Sequence, residues 1–102
     1  MKRVPVTISR SRFVPRGFAA WVPMKRTILI GQRTVVTDRL LAHELCHVTQ
    51  AEESIWPLAY ITQWLATGMK YTSMPYEQQA RAAETIPFYR EWAITIMEER
   101  DL

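Results

Sequence analysis

Only one cysteine, Cys46, occurs in this chain of 102 residues, so no intrachain disulfide can form and the disulfide-stapled secreted miniproteins are excluded. Histidine is nearly as scarce, with His43 and His47 the only two. Long apolar runs are missing as well. The charged front Met1-Lys2-Arg3 leads into Val4 to Arg10, which supplies no apolar h-region, so no signal peptide is expected. The most apolar later stretch, Ile55 to Leu65, is too short for a bilayer span and carries Gln63. A cytoplasmic location is the resulting expectation. Acidic groups are almost absent from residues 1–42, where nine lysines and arginines face Asp38 alone, whereas residues 43–102 hold four basic and nine acidic groups. A basic front of this kind suits an anionic partner, including nucleic acid, or pairs with the chain's own acidic half. Thin aromatic interleaving and the lack of any recognised nucleic-acid motif favour a solvated face, which can pair with the chain's own acidic half.

What is present fits one folded domain over residues 1–102, since 48% of the residues are hydrophobic and four are tryptophan. Pro5, Pro15, Gly17 and Pro23 break residues 1–26 into extended segments and turns, a basic extended segment ahead of a strand and a helical core at 27–102. Thr27-Ile28-Leu29-Ile30, ended by Gly31, reads as a strand whose free edge could pair with an extended peptide substrate. A helix capped by Thr37 or Asp38 should run to about Ala51. A second follows, capped by Ser54, with Trp56, Tyr60, Ile61, Trp64 and Leu65 as an apolar face for packing, and Gly68 stops it. Ser73-Met74-Pro75 opens a third, and Pro87 divides it from a last helix with Trp92 and Ile96 inward. The chain is therefore expected to be α+β, a short sheet packed on three to four helices, with the C-terminal two-thirds mostly helical.

The chemistry concentrates in His43-Glu44-Leu45-Cys46-His47. On a helix, positions four apart share a face, so both imidazoles can present nitrogens to one point, which suits a zinc ion. Glu44 lies about 100° round the helix from His43, where its carboxylate can take a proton from a water at the metal. Leu41, Leu45 and Val48 fall at i, i+4 and i+7 and form an apolar stripe on another side. A catalytic zinc usually takes three protein ligands and keeps one open position. Cys46, next to His47 on the same helix, cannot easily converge on that ion, and Asp38, Glu52 and Glu53 sit near the helix ends. Glu77, Glu84 and the later acidic residues remain as candidates. Glu77 and Glu84 are seven apart, so one could ligate the metal while the other holds a histidine's second nitrogen.

His43-Glu44-Leu45-Cys46-His47-Val48-Thr49-Gln50, followed by Met74-Pro75-Tyr76-Glu77-Gln78-Gln79-Ala80, resembles the gluzincin zinc metallopeptidases. More closely it is similar to small bacterial and phage domains of that type, which carry an H-E-L-x-H-V-x-Q helix and a later N-P-x-E-x-x-A stretch. The resemblance covers roughly residues 27 to 84. It implies a minimal zincin fold, Glu77 as third zinc ligand and Thr27 to Ile30 as an exposed edge strand along the substrate cleft. Departures are Met74 in place of asparagine, Ala51 in place of the distal histidine of SprT-like proteases, and no histidine left to stabilise an oxyanion. Tyr71 and Tyr76, nearest the expected cleft in sequence, are the substitutes for that last role. The implied activity is hydrolysis of a peptide or protein substrate, with Glu44 as general base. Two other readings stay open: a noncatalytic zinc-stabilised structural or assembly protein, such as one of a phage particle, and a basic nucleic-acid-binding module using residues 1–39.

Overall fold

A computed structural model describes residues 2–102; Met1 of the charged front lies outside them. The described residues form an α+β fold with a three-stranded sheet, four α-helices and a single 3-10 turn. Strands β1 (Thr7–Ser11), β2 (Ala20–Met24) and β3 (Thr27–Gly31) lie in the order β1-β3-β2, with β1 parallel and β2 antiparallel to β3. Thr27 to Ile30 is thus the middle strand, not the exposed edge expected. Its backbone is hydrogen-bonded on both sides because the basic N-terminal segment itself supplies the two flanking strands. The edge beside the helices is β2.

Alternation explains which side of each strand is buried. Ala20 and Val22 on β2 and Ile28 and Ile30 on β3 are at most 5% exposed, while their neighbours are only partly covered. The Gly31 N–H donates to the Ala19 carbonyl at 2.8 Å, and Ala20 stands opposite Ile30. In an antiparallel pair this register turns the backbone groups of Ala20 and Val22 outward, away from β3. Gly31 also makes the exit from the sheet tight. A Cβ there would lie 2.6 Å from Thr34 Oγ1 and 3.3 Å from the Ala19 carbonyl, so a side chain would force the turn open.

Helix α1 (Asp38–Glu52) starts at Thr37, whose hydroxyl accepts from the Leu40 N–H at 3.1 Å. Its stripe is buried as the periodicity predicts: Leu41, Leu45 and Val48 are at most 1% exposed. Helices α3 (Pro75–Ala83) and α4 (Pro87–Glu99) each begin with proline at the first helical position and pack on α1. Ala80, Ala83 and Ala93 are fully buried there, and their small side chains let the backbones approach closely. Trp92 and Ile96 face inward as expected.

The second helix departs from expectation. Helix α2 (Leu58–Ala66) has no buried residue, although its sequence is strongly apolar. Leu58 is 60% exposed and Leu65 58%. Ser54 does not cap it; its hydroxyl donates to the Gln50 carbonyl at the end of α1. Apolar spacing reports which face is greasy, not what covers it.

Three arginines of the basic front engage the protein itself. The Arg26 guanidinium meets the Glu52 carboxylate through two nitrogens, Arg39 meets Glu84 at 3.0 Å, and Arg10 donates to the carbonyls of Gly31, Thr34 and Leu102. Among the described residues, no helix is long and apolar enough to cross a membrane.

The difference between α1 and α2 is measurable by denaturant unfolding. Leu45→Ala, which removes a fully buried side chain from α1, should cost about 2–5 kcal/mol. Leu65→Ala on α2 should stay within about 0.5 kcal/mol; a comparable loss at both sites would contradict this division of the core.

Candidate metal centre

One turn of α1 separates His43 from His47, and both rings point at α3. Glu77 opens that helix and is 1% exposed. Its Oε1 lies 2.9 Å from His43 Nε2 and 3.0 Å from His47 Nε2. The remaining carboxylate oxygen, Oε2, accepts from the Tyr60 hydroxyl at 2.5 Å. The rings are therefore not surface groups, and the carboxylate that meets both is the one the resemblance implied.

Each imidazole is also held from behind. His43 Nδ1 lies 3.0 Å from Glu84 Oε2, and Glu84 Oε1 accepts from Arg39. His47 Nδ1 lies 2.7 Å from Gln50 Oε1. Gln50 is fixed in turn, because its amide nitrogen donates to the Tyr76 carbonyl at 3.0 Å and to Gln79 Oε1 at 2.8 Å. Acceptors on both Nδ1 atoms select the tautomer with Nδ1 protonated, which leaves each Nε2 free to act as a donor atom towards a metal.

Glu44 projects beside this group. It is 5% exposed, and its Oε2 is a buried oxygen with no hydrogen-bond partner among the described residues. Ligand atoms of His43, Glu44 and His47 all lie within 4.8 Å of one another. Glu77 also presents one oxygen to both ring nitrogens directly.

The donor set could hold a metal ion such as zinc. The 2.9 and 3.0 Å from Glu77 Oε1 to the two nitrogens are hydrogen-bond distances, shorter than the roughly 3.3 Å between neighbouring ligand atoms of a tetrahedral zinc. Two imidazoles with one carboxylate are ligands that zinc accepts. The unpartnered oxygen of Glu44 is a second sign, because a buried carboxylate oxygen needs a donor, and water at the metal's open position would be one.

Electrostatics couple the cluster. Burial opposes a charge on His43, but hydrogen bonds to Glu77 and Glu84 and the charge of Glu44 outweigh it and raise its pKa to about 9. His47 is raised by the same balance, burial being overcome by Glu77 and Glu44. Burial also works against ionised Glu77, yet the two imidazoles and the Tyr60 hydroxyl hold its carboxyl well below the usual range. Glu44 moves the other way, raised chiefly by burial. Burial pushes the Cys46 thiol up to about 11, so this cysteine is a packing residue, as its neighbourhood on α1 suggested.

The other expected residues divide. Tyr71 lines the cleft beside His43 and Glu44, with its ring against Phe18. Tyr76 does not reach it; its ring stacks on Tyr60 and meets Trp56 edge-on. Thr27 to Ile30 lie one strand back from the cleft, whose wall is β2. Met74, standing where the related pattern has asparagine, is fully buried and makes no side-chain cap. Gln63 Oε1 does that work from α2, accepting from the Tyr76 N–H at 2.8 Å. Sequence reasoning missed Tyr60, because it sits in an apolar stripe. It also missed the role of Gln50, whose only signal was its place three residues beyond His47.

Comparison with protein-family models, curated proteins and solved structures finds no match to this chain. The side chains themselves must carry the functional reading.

Two outcomes follow from the coupled charges. Zinc binding near pH 7 should release at least about one proton per ion, from His43, measurable by calorimetry in buffers of different ionisation enthalpy; no release would contradict the raised His43 pKa. In chelator-treated protein, His43 has a folded pKa of about 9 against an ordinary 6.5. Its stabilisation is therefore complete below pH 6.5 and is lost as the pH rises through 9. The midpoint of thermal unfolding should fall across that window, and His43→Gln should flatten the fall.

Proposed function

We propose that this protein is a zinc-dependent metallopeptidase of gluzincin type. The observation that carries the reading is Glu77 Oε1 within 3.0 Å of both Nε2 atoms, with the unpartnered Glu44 carboxylate alongside. His43, His47 and Glu77 would hold the ion. Zinc, when bound, supplies a Lewis acid that polarises the scissile carbonyl and lowers the pKa of the attacking water.

The chain's own residues supply the rest. Glu44 accepts the water's proton during attack and returns it to the leaving amine nitrogen; its burial makes it a stronger base than an exposed glutamate. Tyr71 lines the cleft beside Glu44 with its hydroxyl toward the Glu77 carboxylate, and it would turn from that carboxylate to donate to the developing oxyanion. Glu84 and Gln50 keep the rings turned, and Tyr60 holds the second oxygen of Glu77. The outward backbone groups of β2 can orient an extended peptide across the site.

A second reading has one observation in its favour. Glu77 is almost fully buried between α1 and α3, so a metal there would tie the two helices together whether or not it catalyses anything.

Metal content by mass spectrometry and peptide hydrolysis separate the two. Wild type and Glu44→Gln should each hold about one zinc per chain, whereas Glu77→Ala should lose most of it. Hydrolysis should fall by about 10²–10⁴-fold in Glu44→Gln. Zinc-loaded wild type with no more hydrolysis than Glu44→Gln would leave the structural reading. No zinc uptake at all would remove both.

A further inference from the structure

Two cavities meet at Glu44. One, of about 550 Å³, runs along the N-terminal half of α1, where Arg16, Arg39, His43 and Glu84 make its lining the more polar of the two. The other, of about 440 Å³, lies between β2 and α2 and contains His47 and Glu77. Its wall is apolar: Trp21, Val22, Trp56, Pro57, Ile61 and Trp64. Ile61 remains 48% exposed and Trp64 36%, although they face a cavity large enough for an aromatic side chain.

Two further observations point to an occupant of that cavity. The buried side-chain polar atoms without a partner among the described residues are Glu44 Oε2 and Trp21 Nε1, and both residues line it. Its strand wall is a sheet edge. The outward Val22 carbonyl accepts from Trp56 Nε1 at 2.7 Å, which fastens α2 to the strand, and the outward groups of Ala20 face the junction of the two cavities.

The direction of β2 orients the occupant. Ala19 and Ala20 border the polar cavity, and Val22 and Pro23 border the apolar one. A peptide pairing with the outward groups of Ala20 in the antiparallel sense, the slightly more stable one, therefore directs its N-terminal residues toward the apolar cavity and its C-terminal residues toward the polar one. We infer that the cleft takes peptides with a large aliphatic or aromatic side chain on the N-terminal side of the cleaved bond, seated between β2 and α2. This rests on the peptidase reading and specifies its substrate class.

The test uses the full-length zinc-loaded protein on a mixed peptide library, with cleavage positions read by mass spectrometry. Cuts should follow Phe, Tyr, Leu or Met. Ile61→Asp and Trp64→Ala, on the half-exposed face of α2, should each lower kcat/KM for such peptides at least tenfold while zinc content is unchanged. Binding is read separately as tryptophan fluorescence of Glu44→Gln titrated with a Phe-containing peptide and with its Asp counterpart. The Phe peptide should bind at least tenfold tighter, and Ile61→Asp added to Glu44→Gln should remove that difference. Hydrolysis without apolar preference, or with the apolar residue on the C-terminal side of the cut, overturns the inference and leaves the peptidase reading. Tight binding of the Phe peptide without hydrolysis by wild type overturns the peptidase reading, and with it the placement of that residue beside a cleaved bond. Equal binding of the two peptides also overturns the inference.

Discussion

A carboxylate buried between two imidazoles sets the terms for the rest of this small protein. An ionised group taken out of water is tolerated only when its charge and lone pairs are matched, and losing one partner leaves the full desolvation cost exposed. Glu77 meets that condition through His43 and His47 from α1 and Tyr60 from α2. Three helices must therefore converge on one point. The alanines at 80 and 83 let α3 approach α1, Pro75 fixes where α3 begins, and Gln63 reaches across from α2 to accept its first N–H, that of Tyr76. Each local device is unremarkable alone. Together they bring a buried acid within hydrogen-bond reach of both rings.

Much of this was legible in the chain, and what was not has physical causes. The motif helix could be read because its cap, its apolar stripe and its polar triad are all local features of one segment. The prolines at 75 and 87 marked helix starts for the same reason. Edge and centre are not local properties of a strand. Thr27 to Ile30 looks alike in either place, and its position was decided by Thr7–Ser11, a strand with no buried residue and no apolar alternation. That strand is secured through Arg10, which reaches the carbonyls of Gly31, Thr34 and Leu102. A residue read as part of a solvated basic front is thus a fastening of the sheet.

Helix α2 shows a different limit. Its composition is that of a core helix, yet it is held by polar and aromatic contacts along its inner side and not by burial. Trp56 bonds the edge strand, Tyr60 bonds Glu77 and packs against His47, and Gln63 caps α3. Tyr60 could not be recognised from spacing because a tyrosine in an apolar stripe serves equally as a packing ring or as a donor. Only the third dimension distinguishes the two, by putting its hydroxyl on a carboxylate.

The same contacts join the state of the centre to the shape of the cleft. The Tyr60 hydroxyl is bonded to the oxygen of Glu77 that does not touch the imidazoles, so any change in the charge shared by Glu77, His43 and His47 acts on Tyr60 directly. Tyr60 lies on the helix that walls the apolar cavity, and Trp56, just before that helix, grips the Val22 carbonyl on the opposite wall. A helix with no buried side chain has little packing energy to resist such a pull, and segments of this kind open at low cost. The feature that looks like a weakness in the fold, an apolar helix left at the surface, is thus the one whose position is set by the histidine-glutamate cluster and the edge strand together. A cleft wall attached in this way is fixed at its inner side by chemistry and left loose at its outer side by lack of burial.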